Sequence, residues 1–438
     1  METTVQRLRY VLEVLAPAVS GKKATLPVLK NVVVGQRKAY ATNLETAITV
    51  EFPEATEDPM LLPHAQLLAL LRKIPGPMPL SINREGQVLK LTAGATSAEF
   101  PVPAEASEFP PLPKLQPVGE GQVDADLFLK TATALAPYAA TDESRPTLQC
   151  VCITLGAPLE MAGADGFRLA WQTIPMALPA LNSPVIDLKH LLLPTEAVET
   201  LAKVWKVMEK QPTVDAQSAS GGADPLKEDG GVRMARLAVA RRMATIQFSN
   251  IALSFQHGAV TVRTHLGQGQ FPDYHTLIPT SLPHKVSFDA EEALRAVRSL
   301  QDIANEGSGI LRLTWSDSAL TISAVGEVLG AITVSVRAHI QGGEGNIAFD
   351  VKYLAPYLAG KVGMVLLETS TVSSPARFFH IGSPDLVLMP MFVKWGDEAE
   401  EPAPEQPDDY APPEADEEPA PEPPPAAAKP RTRARRSK

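Results

Sequence analysis

Six stretches of this chain carry apolar residues at the three-and-four spacing of an amphipathic helix. The first runs from Val5 to Leu15 with Val5, Leu8, Leu12 and Leu15 on one stripe, and the second starts at Pro63 and carries Leu67, Leu68 and Leu71. The third spans Asp124 to Ala136; the fourth starts at Pro194 and places Val198, Leu201, Val204, Trp205 and Met208 on one face. The fifth has Ala290, Leu294, Val297 and Leu300, and the sixth Val351, Leu354 and Leu358. Proline at the first helical position of the second and fourth fits a helix start, because the N–H it lacks would have no helical partner there.

The six fall in pairs. Starts near residues 5, 63, 125, 194, 289 and 350 put partners 58, 69 and 61 residues apart. The step from second to third is 62 residues, but from fourth to fifth it is 95, so about 33 residues are inserted there. Gln211 to Gly231 has a core-free linker composition, and the basic run VRMARLAVARRM follows from Val232 to Met243. The insertion is therefore expected at about 211–243.

Between the helical stretches, apolar and polar residues alternate between turn signals, as in Pro79 to Phe100 and Ala244 to Val262, which predicts antiparallel strands. The clearest unit lies between Tyr138 and Ala170. There TDESRP opens an apolar run from Thr147 to Leu155, Gly156 to Pro158 turn the chain, and Ala-Asp-Gly precedes Phe167 to Trp171. Weaker copies lie on either side: Lys22 to Val34 with Ala41 to Phe52, and Gly307 to Trp315 with Ala319 to Val334. The pattern predicts an α+β protein of three repeats, 1–117, 118–283 and 284–395, each with two helices on antiparallel sheets of about eight strands. After Trp395 the composition turns to Pro, Glu, Ala and Asp and ends in KPRTRARRSK, so 396–438 reads as a disordered tail with a basic end.

A chain of 438 residues with 45% hydrophobic content can bury two or three cores. No run of about 18 apolar residues and no leader-like stretch before Val5 is present, so a soluble, cytoplasmic protein away from membranes is expected. Residues 396–438 hold 12 acidic and 6 basic residues, net −6, which leaves −4 of the formal −10 for the body. Cys150 and Cys152, the two cysteines, point the same way from one apolar strand and read as buried reduced thiols. The eight histidines form no metal-ligand spacing, so neither a metal nor another cofactor is expected. An enzyme reading finds no GxSxG, no P-loop and no dinucleotide fingerprint, and Asp142, Glu143 and Asp165 stand in turns.

Five segments in order carry a family resemblance. LPVLKN with ATNLE, TDESRPTL with ADGFRLA, FPDY at Phe271 to Tyr274, FDVKYL at Phe349 to Leu354 and LMPM at Leu388 to Met391 resemble the bacterial sliding clamp, the beta subunit of DNA polymerase III, over roughly Val5 to Val393. The resemblance implies a homodimeric head-to-tail ring of six similar domains, with helices around a central duplex and sheets outside. It implies a non-catalytic processivity factor in DNA replication, whose partners are double-stranded DNA read without sequence preference, an alpha-type replicative polymerase subunit, a clamp loader and other proteins with a clamp-binding motif. A divergent paralogue serving as scaffold or decoy is the competing expectation.

For a lining helix the relevant groups are cations that meet phosphate without gripping bases. The candidates are Arg9, Lys22, Lys23, Arg72, Lys73, Lys130, Lys203, Lys206, Lys210, Arg295, Arg298 and Lys352. Lys203, Lys206 and Lys210 stand opposite the apolar stripe of the fourth helix; taken alone they would be an ordinary solvated face. The resemblance also implies a hydrophobic groove for extended partner peptides. Its wall by motif is Leu155, Ala164, Gly166, Phe167, Arg168 and Leu169, then Pro272, Thr276 and Leu277, then Val372 and Ser374, then Val387, Leu388, Met389, Pro390 and Met391. This sequence departs from the family pattern at Phe167, Ala164, Thr276 and Phe392, which implies a more apolar groove, and at Asn43.

Overall fold

A computed structural model describes residues 1–21, 26–112, 114–179, 181–182, 187–210, 242–326 and 330–395. The sequence expectations for Lys22, Lys23, the bulk of the 211–243 insertion and the 396–438 tail lie outside the described residues. Met1–Phe392 forms one compact unit.

Among the described residues six α-helices stand where the apolar stripes predict them: α1 (Val5–Leu15), α2 (His64–Leu71), α3 (Ala125–Leu135), α4 (Thr195–Glu209), α5 (Ala290–Glu306) and α6 (Val351–Leu358). Four start on a side-chain cap: Thr4, Asp124, Asp289 and Asp350 accept from the backbone N–H of Arg7, Leu127, Glu291 with Glu292, and Lys352. The other two correct the sequence reading by one residue. Pro63 and Pro194 are extended and precede the first helical residue, because each still pairs in a sheet, with Asn31 and Cys150. Helices pack within their pairs, α1 on α2, α3 on α4 and α5 on α6, and α1 also meets α4. No helix of the described residues is long and apolar enough to cross a membrane.

The sheets repeat one theme. In an eight-stranded antiparallel sheet, four strands from residues 31–63 join four from 119–124 and 243–265 where Thr46–Glu51 pairs with Val260–His265, from Thr46↔Thr264 to Val50↔Val260. In a twelve-stranded sheet, four strands from 150–174 and 190–194 join four from 284–289 and 364–388 where Arg168–Ile174 pairs with Asp385–Leu388. That sheet continues through four strands of 310–350. A separate four-stranded sheet holds Glu2–Thr4 and three strands of 79–101.

In this repeating order Gly330–Gln341 takes the place that Thr46–Glu51 and Arg168–Ile174 hold, and Thr96–Pro101 that of Val260–His265 and Asp385–Leu388. Among the described residues neither has the corresponding junction. Gly330–Gln341 pairs on its second side only at Ala338–Gln341, and Thr96–Pro101 pairs only with Val88–Ala93. Two sheet edges of matching rank are thus left open, at 330–337 and 96–101.

The main core lies between the helices and the sheet faces they cover, and its largest fully buried side chains include Trp315, Tyr357, Phe52 and Phe128. Two smaller apolar clusters lie apart from it. One gathers Leu29, Val33, Leu61 and Phe109; the other, which matters here, is centred on Cys152, Leu169 and Val387.

Candidate partner groove and nucleic-acid face

The helix cations are outward-facing. Arg72, Lys73, Lys130, Lys203, Lys206, Lys210, Arg295, Arg298 and Lys352 are exposed and Arg9 is half-buried. Arg9, Arg72 and Lys210 come together around one cleft of about 460 Å³ between α1, α2 and α4, with Tyr10 and Glu13 beside them. Acidic neighbours temper part of the set: Arg72 faces Glu13 at 3.4 Å, Lys203 pairs with Glu199 at 3.1 Å and Lys352 with Asp350 at 2.9 Å. Such exposed pairs stabilise little and leave the cations available to phosphate. Below this surface, buried His64 bonds through Nε2 to the Leu12 carbonyl at 2.9 Å and ties α2 to α1; burial lowers its pKa and favours the neutral ring.

The groove begins at a turn that the sequence builds locally. Asp165 Oδ1 accepts from the N–H groups of Phe167 and Arg168 at 2.9 and 3.0 Å, and Gly166 sits at φ +93°. A side chain at Gly166 would meet the Arg145 guanidinium at 2.7 Å, the group that donates to the Asp165 carbonyl. From this turn the strand Arg168–Ile174 leaves paired with the last strand, Arg168↔Leu388 and Leu169↔Val387, and Met389 N–H donates to the Phe167 carbonyl at 2.9 Å.

Strand alternation then divides the expected wall between two faces. On the outer face Leu169, Val387 and Ala164 pack with Cys150, Cys152, Ala162 and Leu192, and the connection after Val260–His265 lays Phe271 and Tyr274 over them. Pro272, Thr276 and Leu277 stand exposed on that connection, Leu277 at 58%. Met389 is 44% exposed, Pro390 and Met391 are half-buried, and Met391 N–H donates to the Ala348 carbonyl at 2.8 Å. Exposed Val372 and half-buried Ser374 lie in the hairpin turn before Ala376, which pairs with Leu388 and so brings that turn to the same end of the sheet.

Three residues do not join this face. Leu155 and Leu388 are buried in the main core, on the helix side of the sheet, because they are in phase with Ile153 and Leu386 rather than with Cys152 and Val387. Arg168 also turns to the helix side. Its guanidinium lies between the rings of Tyr138 and Tyr353 at 5.1 and 5.0 Å, pairs with Asp165 at 2.9 Å and donates to the Pro137 carbonyl at 2.6 Å. Phe167, 53% exposed, stacks on Tyr353 of α6 at 6.2 Å, beside Lys352. In place of Leu155, the structure brings Leu148 to the outer cluster. Leu148 was legible: it is in phase with Cys150 and Cys152, but the short 3-10 turn Pro146–Gln149 interrupts the expected strand before Cys150. Tyr274 and Tyr353 stand in the FPDY and FDVKYL segments but were not among the expected wall residues.

The thiols are buried on the outer face, and burial pushes Cys150 up to about 11 and Cys152 up to about 12. His190 Nδ1 lies 3.8 Å from the Cys152 sulfur and 3.2 Å from the Thr154 hydroxyl, and burial lowers its pKa. Among the described residues no group of three or more His, Cys, Asp or Glu is placed to hold a metal ion.

No family model matches the chain. It is similar to the beta sliding clamp of Staphylococcus aureus, 22% identical over 380 residues that cover 81% of this chain and 88% of that one. To the beta sliding clamp of Caulobacter vibrioides it is 23% identical over 406 residues, 89% and 96% of the two chains. Its fold matches crystal structures of the DNA polymerase III subunit beta: one from Pseudomonas aeruginosa bound to griselimycin at TM-score 0.74 and 20% identity, covering 90% of this chain and 99% of that chain, and one from Thermotoga maritima at TM-score 0.72 and 19% identity, covering 90% and 99%.

Proposed function

We propose that this chain, which has the sliding-clamp fold, closes with a second copy into a head-to-tail ring around duplex DNA and tethers the replicative polymerase there. The observation that carries the reading is the pair of open edges. Strands of matching rank join the first repeat to the second and the second to the third, and among the described residues the only such strands left over are 330–337 and 96–101. One chain's 330–337 pairing with another's 96–101 completes the series twice and leaves no such edge exposed. Ile332, Val334 and Phe100, partly buried apolar residues on those strands, give the junction apolar contacts. The repeats are 1–117, 118–283 and 284–395.

In such a ring the helix cations face the duplex and touch phosphate alone, so the protein slides without choosing a sequence. The action is topological rather than catalytic. A polymerase held on a ring keeps a high effective concentration at the primer end through every nucleotide addition. The outer-face cluster around Leu169 and Val387, bordered by Leu277 and Met389, serves as the groove for hydrophobic peptides of the polymerase, the loader and other partners, and accepts griselimycin as the Pseudomonas aeruginosa relative does. The work is done in the cytoplasm.

The test loads the full chain onto nicked circular DNA with a clamp loader. Retention that is lost when the DNA is linearised, together with longer polymerase products only when the loader is present, supports the ring. Equal retention on circular and linear DNA refutes it and leaves an open scaffold.

A further inference from the structure

The connection that forms the second side of the groove is held in place by a carboxylate on the sheet beneath it. Glu160 lies on the strand Leu159–Ala164, in phase with Ala162 and Ala164, and so on the outer face. Its Oε1 accepts the hydroxyl of Tyr274 and faces His275 Nε2 at 3.0 Å, while Oε2 accepts the Thr173 hydroxyl at 3.3 Å. Tyr274 is 3% exposed, His275 stacks on its ring at 4.5 Å, and Phe271 meets it edge-on at 6.0 Å. One carboxylate thus pins two successive residues of the connection, and Phe271 plugs the apolar cluster ahead of them. Removing the carboxylate leaves a buried phenol without that acceptor, and a buried hydroxyl in that position favours a rearranged backbone.

We infer that Glu160 is a positioning residue for the partner groove: by holding Tyr274 and His275 it sets where Pro272 and Leu277 stand relative to Leu169 and Met389. Its effect on ligand binding rests on the groove reading above, whereas its hold on the connection does not. Glu160 itself touches no ligand and acts through Tyr274.

Two measurements on the full chain separate these parts. Hydrogen exchange of the 271–278 amides reads the hold directly; Glu160→Ala and Tyr274→Phe are each expected to speed it about tenfold, with the rest of the outer sheet unchanged. Calorimetric titration with griselimycin reads the consequence: each variant is expected to bind about tenfold more weakly, the double variant no more weakly than either, and Glu160→Gln, which keeps an acceptor, within about threefold of the parent. Unchanged exchange in Glu160→Ala overturns the positioning role. Faster exchange with full griselimycin affinity overturns its connection to the groove. A parent chain that fails to bind griselimycin overturns the groove reading instead, and the exchange result still decides the role of Glu160.

Discussion

Replacing Lys206 and Lys210 of α4 by alanine tests whether the helix face meets phosphate. Both are exposed on the side opposite buried Val198, Leu201, Val204 and Trp205, so the change removes charge without opening the core. Lys210 shares its cleft with Arg9 and Arg72, whereas Lys203 has Glu199 beside it, whose charge tempers the local potential and makes Lys203 the less sensitive choice. Each phosphate neutralised contributes about 0.9 to the slope of log affinity against log salt. Two lost contacts therefore flatten the slope by about 1.8, and the affinity lost between about 50 and 200 mM salt shrinks by about twelvefold. Fluorescence anisotropy on a short duplex across a salt series measures this, with Arg84→Ala as a control, because Arg84 stands on a strand rather than on a helix and is engaged by Glu105. An unchanged slope in the double variant would refute the assignment of α4 to the DNA.

Lys361 is a pH reporter. Burial pulls its ammonium down to about 8 from an ordinary 10.5, so between those values the unfolded chain holds the proton more tightly and stability rises with pH. Lys361→Met should therefore melt higher than the parent below about pH 8, with an advantage that shrinks towards pH 10; an advantage that is constant across thermal melts at these pH values sinks the argument. Cys150 and Cys152 should react with a thiol reagent at neutral pH only as fast as the protein opens, since burial keeps both thiols protonated; rapid labelling of the native protein would contradict the buried outer cluster. Leu155→Ala should cost about 2–4 kcal/mol in denaturant melts and leave griselimycin affinity intact in the folded fraction, whereas Leu148→Ala should weaken griselimycin for a smaller loss of stability. The reverse pattern would restore Leu155 to the groove.

The helices were legible because an amphipathic stripe is local: Val5, Leu8, Leu12 and Leu15 are all fully buried in α1. Local chemistry also announced the Asp165-Gly166 turn. The candidate groove was legible only as a set of segments. A motif preserves order along the chain but is silent on which face a strand residue takes, so Leu155, Leu388 and Arg168 were grouped with neighbours that point the other way. Counting by twos from Cys150 would have exchanged Leu155 for Leu148. Nothing local marks Glu160, whose contact to Tyr274 joins positions 114 residues apart, nor Tyr353, which meets Phe167 only because α6 folds against the turn. The open edges, too, emerge only when the strand order is known.

Those edges divide the seams of a ring into two kinds. The seams at Thr46–Glu51 with Val260–His265 and at Arg168–Ile174 with Asp385–Leu388 lie within one polypeptide, and a strand that lets go there stays tethered beside its partner. In the proposed ring, a seam between 330–337 of one chain and 96–101 of the next would have no such tether, and its occupancy would follow mass action. Dilution would open the circle at that seam first, and a device that admits DNA has to work on only one such pair of strands.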